Sequence, residues 1–368
     1  MKTQSAVQRL LLKTGCTSLI GLILLVIFLY ICHQIGIINA WLFPLKPVGV
    51  FLGGGGLACF FIAELWRRRW KRSIVVGVLV VLIGINAIAY IGAYTLTHFS
   101  APGQQALGIP RPHNTRNPSV IGLQYVTQQI PINQKEWLET WFIPAKYSAS
   151  KGTILLFPGN GGSKGTQLLP PAQVFNALNY DSLLVDFRGV GGSSGNKTTV
   201  GVREAKDVAF AVNYAQQLNL KRPIVLYGVS MGTAAILRAI AQENIAPEAI
   251  ILELPFANLL NAVRSRLPSI HLPPFPTAEL FVFWGSIQHG FNGFSHNPAV
   301  YAKSVNCPTL ILHGQLDKWT TMTEIEQILQ NVQGAKQLVL FPSAGHNLLV
   351  TVDKKRWAQS VEQFLRRL

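Results

Sequence analysis

The chain has 368 residues, with 32 Lys and Arg against 16 Asp and Glu, a formal net charge of +16 at pH 7. Of four cysteines only Cys307 lies beyond the first hundred residues, so no disulfide can form within that part, and no CxxC metal site exists. With no basic-aromatic motif or basic helix stripe, nucleic-acid binding is excluded as the reason for the charge, and neither cofactor nor metal is expected.

The charge is unevenly placed. Residues 1–99 hold nine Lys or Arg and a single acid, Glu64, while residues 100–368 hold 23 Lys or Arg against 15 Asp or Glu. Three apolar segments lie in the first region, the densest part of the first at 18–32, the others at about 47–65 and 73–98. Each approaches the roughly 20 residues that span a bilayer core as a helix. A signal peptide would account for the first segment but not for the later two. Three membrane helices are therefore expected. The basic run WRRRWKR (66–72) and the basic N-terminal tail place 1–13 and 67–72 in the cytoplasm. Three spans then put the remainder on the other side of a plasma or inner membrane, in the periplasm or outside the cell. Gly53–Gly56 reads as a helix-packing face, and the lack of a mid-span ionisable residue argues against transport.

Residues 100–118, rich in Pro, Gly and Asn, read as a linker. Beyond them, 123–132 and 136–145 read as an antiparallel strand pair. Apolar runs at 153–159, 182–189, 223–228, 249–255, 309–314 and 337–342 read as buried strands. Amphipathic helices are expected at 201–218, 232–243, 321–333 and 354–367. Strands alternating with helices imply an α/β fold with a mostly parallel sheet covered on both faces. Its ligand site lies beyond the carboxyl ends of the strands. The domain so delimited is 119–368, with an insertion at 256–305.

Two pentapeptides fit G-x-S-x-G: GGSSG (191–195) and GVSMG (228–232). Ser230 directly follows a strand and precedes MGTAAILRAIAQEN, a strong helix former. That is the strand, sharp turn and helix that lifts a serine hydroxyl above a sheet. Ser193 is followed by the polar, turn-like GNKTTVG, and its segment reads as a flexible Gly-Ser loop shaping the rim of the site. Four blocks in order, FPGNGGS (157–163), DFRGVGGSSG (186–195), GVSMG, then HGQLD (313–317) with SAGH (343–346), make residues 120–368 resemble the α/β-hydrolases, in particular their membrane-anchored serine-hydrolase branch. The resemblance implies that GVSMG is the nucleophile elbow and that DFRGVGGSSG is a structural loop.

A serine needs a base beside it, and the base needs an acid to orient it. Of His113, His271, His289, His296, His313 and His346, the last follows the final strand, where the family's catalytic histidine sits. Asp317 follows the preceding strand, so the chain order is Ser230, Asp317, His346. Glu253 is the runner-up acid, its plainer role being to hold a neighbouring loop. Asp186 and Arg188 read as a structural charge pair or loop contact. The oxyanion donors expected are Met231 N–H and an N–H of Asn160 or Gly161, although Pro158-Gly159 stands where the family often has His-Gly.

The insertion is aromatic and proline-rich, and in the related fold a lid over the acyl pocket often sits there. Phe281, Phe283 and Trp284 are the candidate substrate-binding residues. The expected function is hydrolysis of a carboxylic ester, small-molecule or lipid, through an acyl-enzyme. A thioesterase, a peptidase with the same triad, or an inactive binding module remain alternatives, and the oligomeric state is open.

Overall fold

The structure, a computed structural model, describes residues 70–100 and 107–368. The first two expected membrane segments lie outside these residues. The third is helix α1, Trp70–Thr97. Among the described residues, one helix is long and apolar enough to cross a membrane: Ile74–Thr97, 24 residues of mean hydropathy 2.7. At 1.5 Å per residue it is about 36 Å long, enough for a hydrocarbon core of about 30 Å.

The chain divides into two compact units. One is Met1–Ala89 with Leu267–Pro273; in it α1 exposes Ile74, Leu79, Leu82 and Ile83, and Leu267–Ile270 forms a 3-10 turn. The other, Tyr90–Arg266 with Pro274–Leu368, carries an eight-stranded sheet.

In this second unit β1 (Phe99–Ser100) pairs with β2 (Ile109–Pro110). The strands of the large sheet are β3 (Val126–Pro131), β4 (Trp137–Ile143), β5 (Thr153–Phe157), β6 (Asp181–Val185), β7 (Ile224–Val229), β8 (Ala249–Glu253), β9 (Thr309–Gly314) and β10 (Lys336–Phe341). Their order is β10-β9-β8-β7-β5-β6-β4-β3, antiparallel where β4 meets β3 and β6, and parallel from β6 to β10. Every residue of β5, β7, β8 and β9 is buried. That is why these strands read as unbroken apolar runs while β3 alternates: helices cover both faces of a parallel sheet. Burying each Leu, Ile or Val contributes about 1.5–3 kcal/mol.

The α-helices longer than four residues that follow are α2 (Leu169–Ala177), α3 (Glu204–Gln217), α4 (Met231–Gln242), α5 (Leu259–Arg264), α6 (Pro274–His289), α7 (Met322–Asn331) and α8 (Lys354–Leu365). Local chemistry sets several ends. Thr321 and Glu324 form a reciprocal capping box on α7, and Asp353 caps α8 through Arg356 N–H. Helix α2 was not legible in sequence, because LPPAQVFNA hides its period behind two prolines that sit in the first turn.

Strand β5 neighbours both β6 and β7. The chain leaves β5 to one side, then crosses back to β7 on the other. This reversal opens a crevice at the carboxyl ends of β5 and β7, where open α/β sheets bind ligands. Both FPGNGGS and GVSMG emerge there.

Candidate active site

Strand β7 ends at Val229 and α4 begins at Met231, so Ser230 alone makes the turn, at φ 47° and ψ −107°. A residue with a Cβ holds such a conformation only when its surroundings impose it. Ser230 N–H donates to Glu253 O at 2.8 Å, and the Thr233 hydroxyl and N–H donate to Ser230 O at 2.6 and 3.0 Å. The flanking glycines are steric requirements. A Cβ on Gly228 would come within 2.7 Å of the Gly232 carbonyl carbon, and one on Gly232 within 2.6 Å of Phe157 O.

From this elbow Ser230 Oγ lies 3.0 Å from His346 Nε2, and His346 Nδ1 lies 2.7 Å from Asp317 Oδ2. Asp317 Oδ1 accepts from Trp319 N–H at 2.8 Å and Thr320 N–H at 3.2 Å. Burial opposes the charge on Asp317, but the His346 hydrogen bond and charge and the two backbone donors outweigh it, holding the carboxyl below its ordinary value. The structure thus brings Ser230, His346 and Asp317 together from the ends of β7, β10 and β9. His313, at the end of β9, is buried with Nδ1 4.0 Å from Asp317 Oδ2. Burial pulls its pKa down, against the pull of Asp317.

Met231 N–H stands at the first turn of α4, where a helix has no acceptor of its own. Asn160 and Gly161 follow β5, and Gly159 packs against the elbow: a Cβ there would lie 3.3 Å from Val229 O and 3.4 Å from Ser230 Cβ. Gln167 Oε1 accepts from Gly159 N–H at 2.7 Å, which sets the entry of the loop with Pro158-Gly159 in place.

Ser193 is elsewhere. It is buried, its Oγ donates to Asp186 O at 2.6 Å, and it accepts from Glu139 N–H at 2.8 Å. The GGSSG loop is not a loose rim but a tied-down structural element. Asp186 and Arg188 do not pair with each other. Asp186 takes the buried Lys164 ammonium, the Lys164 N–H at 2.8 Å and Asn114 Nδ2 at 2.8 Å. Arg188 takes Asp207 at 2.7 Å and Glu136 at 3.0 Å. Lys164 also reaches Glu139 at 2.7 Å and lies 4.5 Å from the Trp141 ring centroid. It therefore stitches the loop after β5 to the loop after β6. Its residue type was visible in sequence, but nothing there marked it as buried. The segment read as a linker takes part, since Arg111 donates to Ser193 O and to Gly195 O.

Glu253 has the plainer of its two expected roles. Its oxygens accept from Tyr227 Oη (2.8 Å), Trp357 Nε1 (2.7 Å) and Leu349 N–H (2.7 Å). The last bond fixes the chain three residues after His346. His296 is buried, with Nε2 3.1 Å from Val200 O. His113 and His271 make no contact with Ser230 or Asp317 among the described residues.

Phe281, Phe283 and Trp284 lie on α6. The Phe281 ring covers Gly92 of α1, whose Cβ position would be 2.9 Å away, and Trp284 meets Tyr90 edge-on at 5.4 Å. Gln288 Nε2 donates to Tyr90 O at 2.8 Å. Phe283 is 44% exposed. The last two turns of α1 thus pack on this helix, a contact that the sequence alone did not suggest. His289, one turn further on, stacks with His98 at 5.1 Å.

The sheet order, the elbow and the strand-end loops define an α/β-hydrolase fold. A family model described as serine aminopeptidase, S33, matches residues 148–300. The lysophosphatidylserine lipase ABHD12 of Danio rerio is 28% identical over 186 residues, which cover 50% of this chain and 46% of that protein. The uncharacterised protein Rv2307c of Mycobacterium tuberculosis is 25% identical over 228 residues, 61% of this chain and 73% of its own length. Among solved structures, the Pyrococcus furiosus esterase Pf2001 matches 70% of this chain and 96% of its own at TM-score 0.59 and 22% identity. The chain has the α/β-hydrolase fold and is similar to serine hydrolases of that fold. It spans just under half the length of the ABHD12 relatives.

Proposed function

We propose that the protein is a membrane-anchored serine hydrolase that cleaves carboxylic esters, lipid esters among them, through an acyl-enzyme on Ser230. The observation that carries this reading is the continuous chain Ser230 Oγ–His346–Asp317 (3.0 and 2.7 Å) on a strained elbow at the sheet's reversal point. In this reading Ser230 Oγ attacks the ester carbonyl as its proton passes to His346 Nε2. Asp317 keeps the other ring proton on Nδ1 and stabilises the imidazolium. The carbonyl oxygen, now negative, is met by Met231 N–H and an N–H of Asn160 or Gly161. His346 then protonates the leaving alcohol, and in the second half activates water against the acyl-enzyme.

The lipase and esterase names of the similar proteins support an ester substrate, and a lysophospholipid is the substrate in the Danio rerio relative's name. Helix α6 is proposed as an apolar lid over the acyl chain, with the exposed Phe283 as its candidate contact, since Phe281 and Trp284 pack on α1. Anchoring rests on Ile74–Thr97 together with the two earlier apolar segments, with the catalytic domain on the non-cytoplasmic side. A peptidase with the same triad is the second reading, favoured by the family model's description.

The test is fluorophosphonate labelling of the full-length protein in detergent, beside Ser230→Ala and Ser193→Ala, followed by a panel of esters, thioesters and peptide amides. Loss of labelling in Ser230→Ala alone is expected, with ester turnover exceeding amide turnover. An unlabelled wild type, or loss in Ser193→Ala alone with the fold intact, would overturn the reading.

A further inference from the structure

Beside the triad sits a cation that acyl transfer does not use. Arg266 follows α5, and its guanidinium carbon lies 4.8 Å from the Trp319 ring centroid. The Trp319 ring lies 5.0 Å from the ring of His346. Arg266 is thus one aromatic ring away from the general base.

Its surroundings differ from those of the ion-paired arginines in this unit. Arg188 and Arg264 are matched to carboxylates. Among the described residues Arg266 has no carboxylate within ion-pair distance, and one hydrogen bond, from Nη1 to Ala262 O at 2.6 Å. A guanidinium has five N–H donors, so most of its capacity is unused. The nearest acids hold other partners, although Glu324 Oε1 has no hydrogen bond among the described residues. Asp317 binds His346, Trp319 N–H and Thr320 N–H, while Glu324 closes the capping box of α7 with Thr321. Burial lowers the pKa of Arg266 against the opposing fields of Asp317 and Glu324, yet a guanidinium stays charged in proteins. A half-buried, charged, planar donor with spare N–H groups suits bidentate binding of an oxyanion.

The side of the site is set by chemistry. His346 delivers a proton to the leaving oxygen, so the leaving alcohol departs along the imidazole. Trp319 packs against that imidazole, and Arg266 lies on Trp319. We propose that Arg266 binds an anionic phosphate group carried by the leaving alcohol, which makes the preferred substrates acyl esters of phosphorylated alcohols, of the lysophospholipid class. Trp319 holds the guanidinium by cation–π contact and spaces it from the ester. This inference rests on the acyl-transfer reading and assigns its specificity to a residue outside the triad.

The experiment compares 1-oleoyl lysophosphatidic acid with 1-oleoylglycerol, two esters with the same acyl chain, in the same detergent micelles. Oleate release is measured for full-length wild type, Arg266→Gln and Arg266→Lys. Wild type is expected to favour the phosphorylated ester. In Arg266→Gln the ratio of kcat/KM, phosphorylated over neutral, should fall about tenfold to a hundredfold, as loss of a charge-assisted hydrogen bond predicts, mainly through KM. Arg266→Lys should recover part of it. sn-Glycerol 3-phosphate should inhibit the wild type more strongly than it inhibits Arg266→Gln. An equal loss on both esters would make Arg266 a prop for Trp319 and overturn the proposal, as would an unchanged ratio. A wild type that takes the fluorophosphonate label and cleaves the neutral ester without preferring the phosphorylated one sinks this inference alone. A wild type that neither labels nor cleaves either ester sinks the acyl-transfer reading first, and the inference with it.

Discussion

Asp317→Asn isolates what the acid does, and the structure dictates how the new side chain would sit. The two carboxylate oxygens have different partners: Oδ1 accepts two backbone N–H groups, and Oδ2 faces His346 Nδ1. An amide placed here keeps its oxygen on the Trp319 and Thr320 donors, since its NH2 would meet two N–H groups if flipped. The NH2 therefore points at His346 Nδ1 and donates to it. The imidazole must then carry its proton on Nε2, and Ser230 loses its base. A substitution of this kind costs about 10⁴ in kcat in serine proteases, or about 5.4 kcal/mol of barrier. The assay is hydrolysis of a p-nitrophenyl ester by full-length protein, with fluorophosphonate labelling rate as a second readout and thermal unfolding as a control. Loss of less than about tenfold, with the fold intact, would refute the assignment of Asp317 and reopen the question of which group orients His346.

Three further outcomes follow from the geometry. Lys164→Met leaves the buried Asp186 and the half-buried Glu139 without their cation, which costs about 3–5 kcal/mol and roughly 6–20 °C in Tm; an unchanged Tm would show that the network does not hold the two loops. Ser193→Ala removes one donor and one acceptor from buried backbone partners, so stability should drop by about 1–3 kcal/mol while active-site labelling persists; denaturant unfolding beside labelling checks both halves. Burial, aided by the Arg238 charge, pushes the pKa of His296 down to about 4 from 6.5. The unfolded chain binds the proton first, so this contribution is complete above about pH 6.5 and is lost as pH falls toward 4, amounting to roughly 3 kcal/mol. Chemical denaturation of wild type and His296→Gln at pH 7 and 4.5 should show a flatter pH dependence in the variant, and parallel curves would exclude His296 as a source.

Much of this candidate site was legible in the amino-acid sequence. Ser230 announced itself because a glycine pair, an apolar strand and a helix-forming run stood in the right order around it, and each constraint is local. Asp317 and His346 were legible by position, since a site at the carboxyl ends of parallel strands makes the residue after each strand the one to read. The alternation of apolar runs and amphipathic stretches also specified the sheet, because burial on both faces leaves a mark on every strand residue.

What the tertiary structure decided involves pairs far apart in the chain. Asp186 and Arg188 looked like partners because they are two residues apart, yet one meets Lys164 and the other Asp207 and Glu136. Ser193 carried the same G-x-S-x-G pattern as the elbow, and only its hydrogen bonds to Asp186 and Glu139 show that its hydroxyl is spent. Glu253 reaching the loop after His346, Phe281 and Trp284 meeting the end of α1, and Arg266 lying on Trp319 have no local signature. The physical reason is the same in each case. Periodicity and turn chemistry act over a few neighbouring residues and write themselves into the sequence, whereas the partner of a buried charge or ring is chosen by which strands and helices the fold brings side by side.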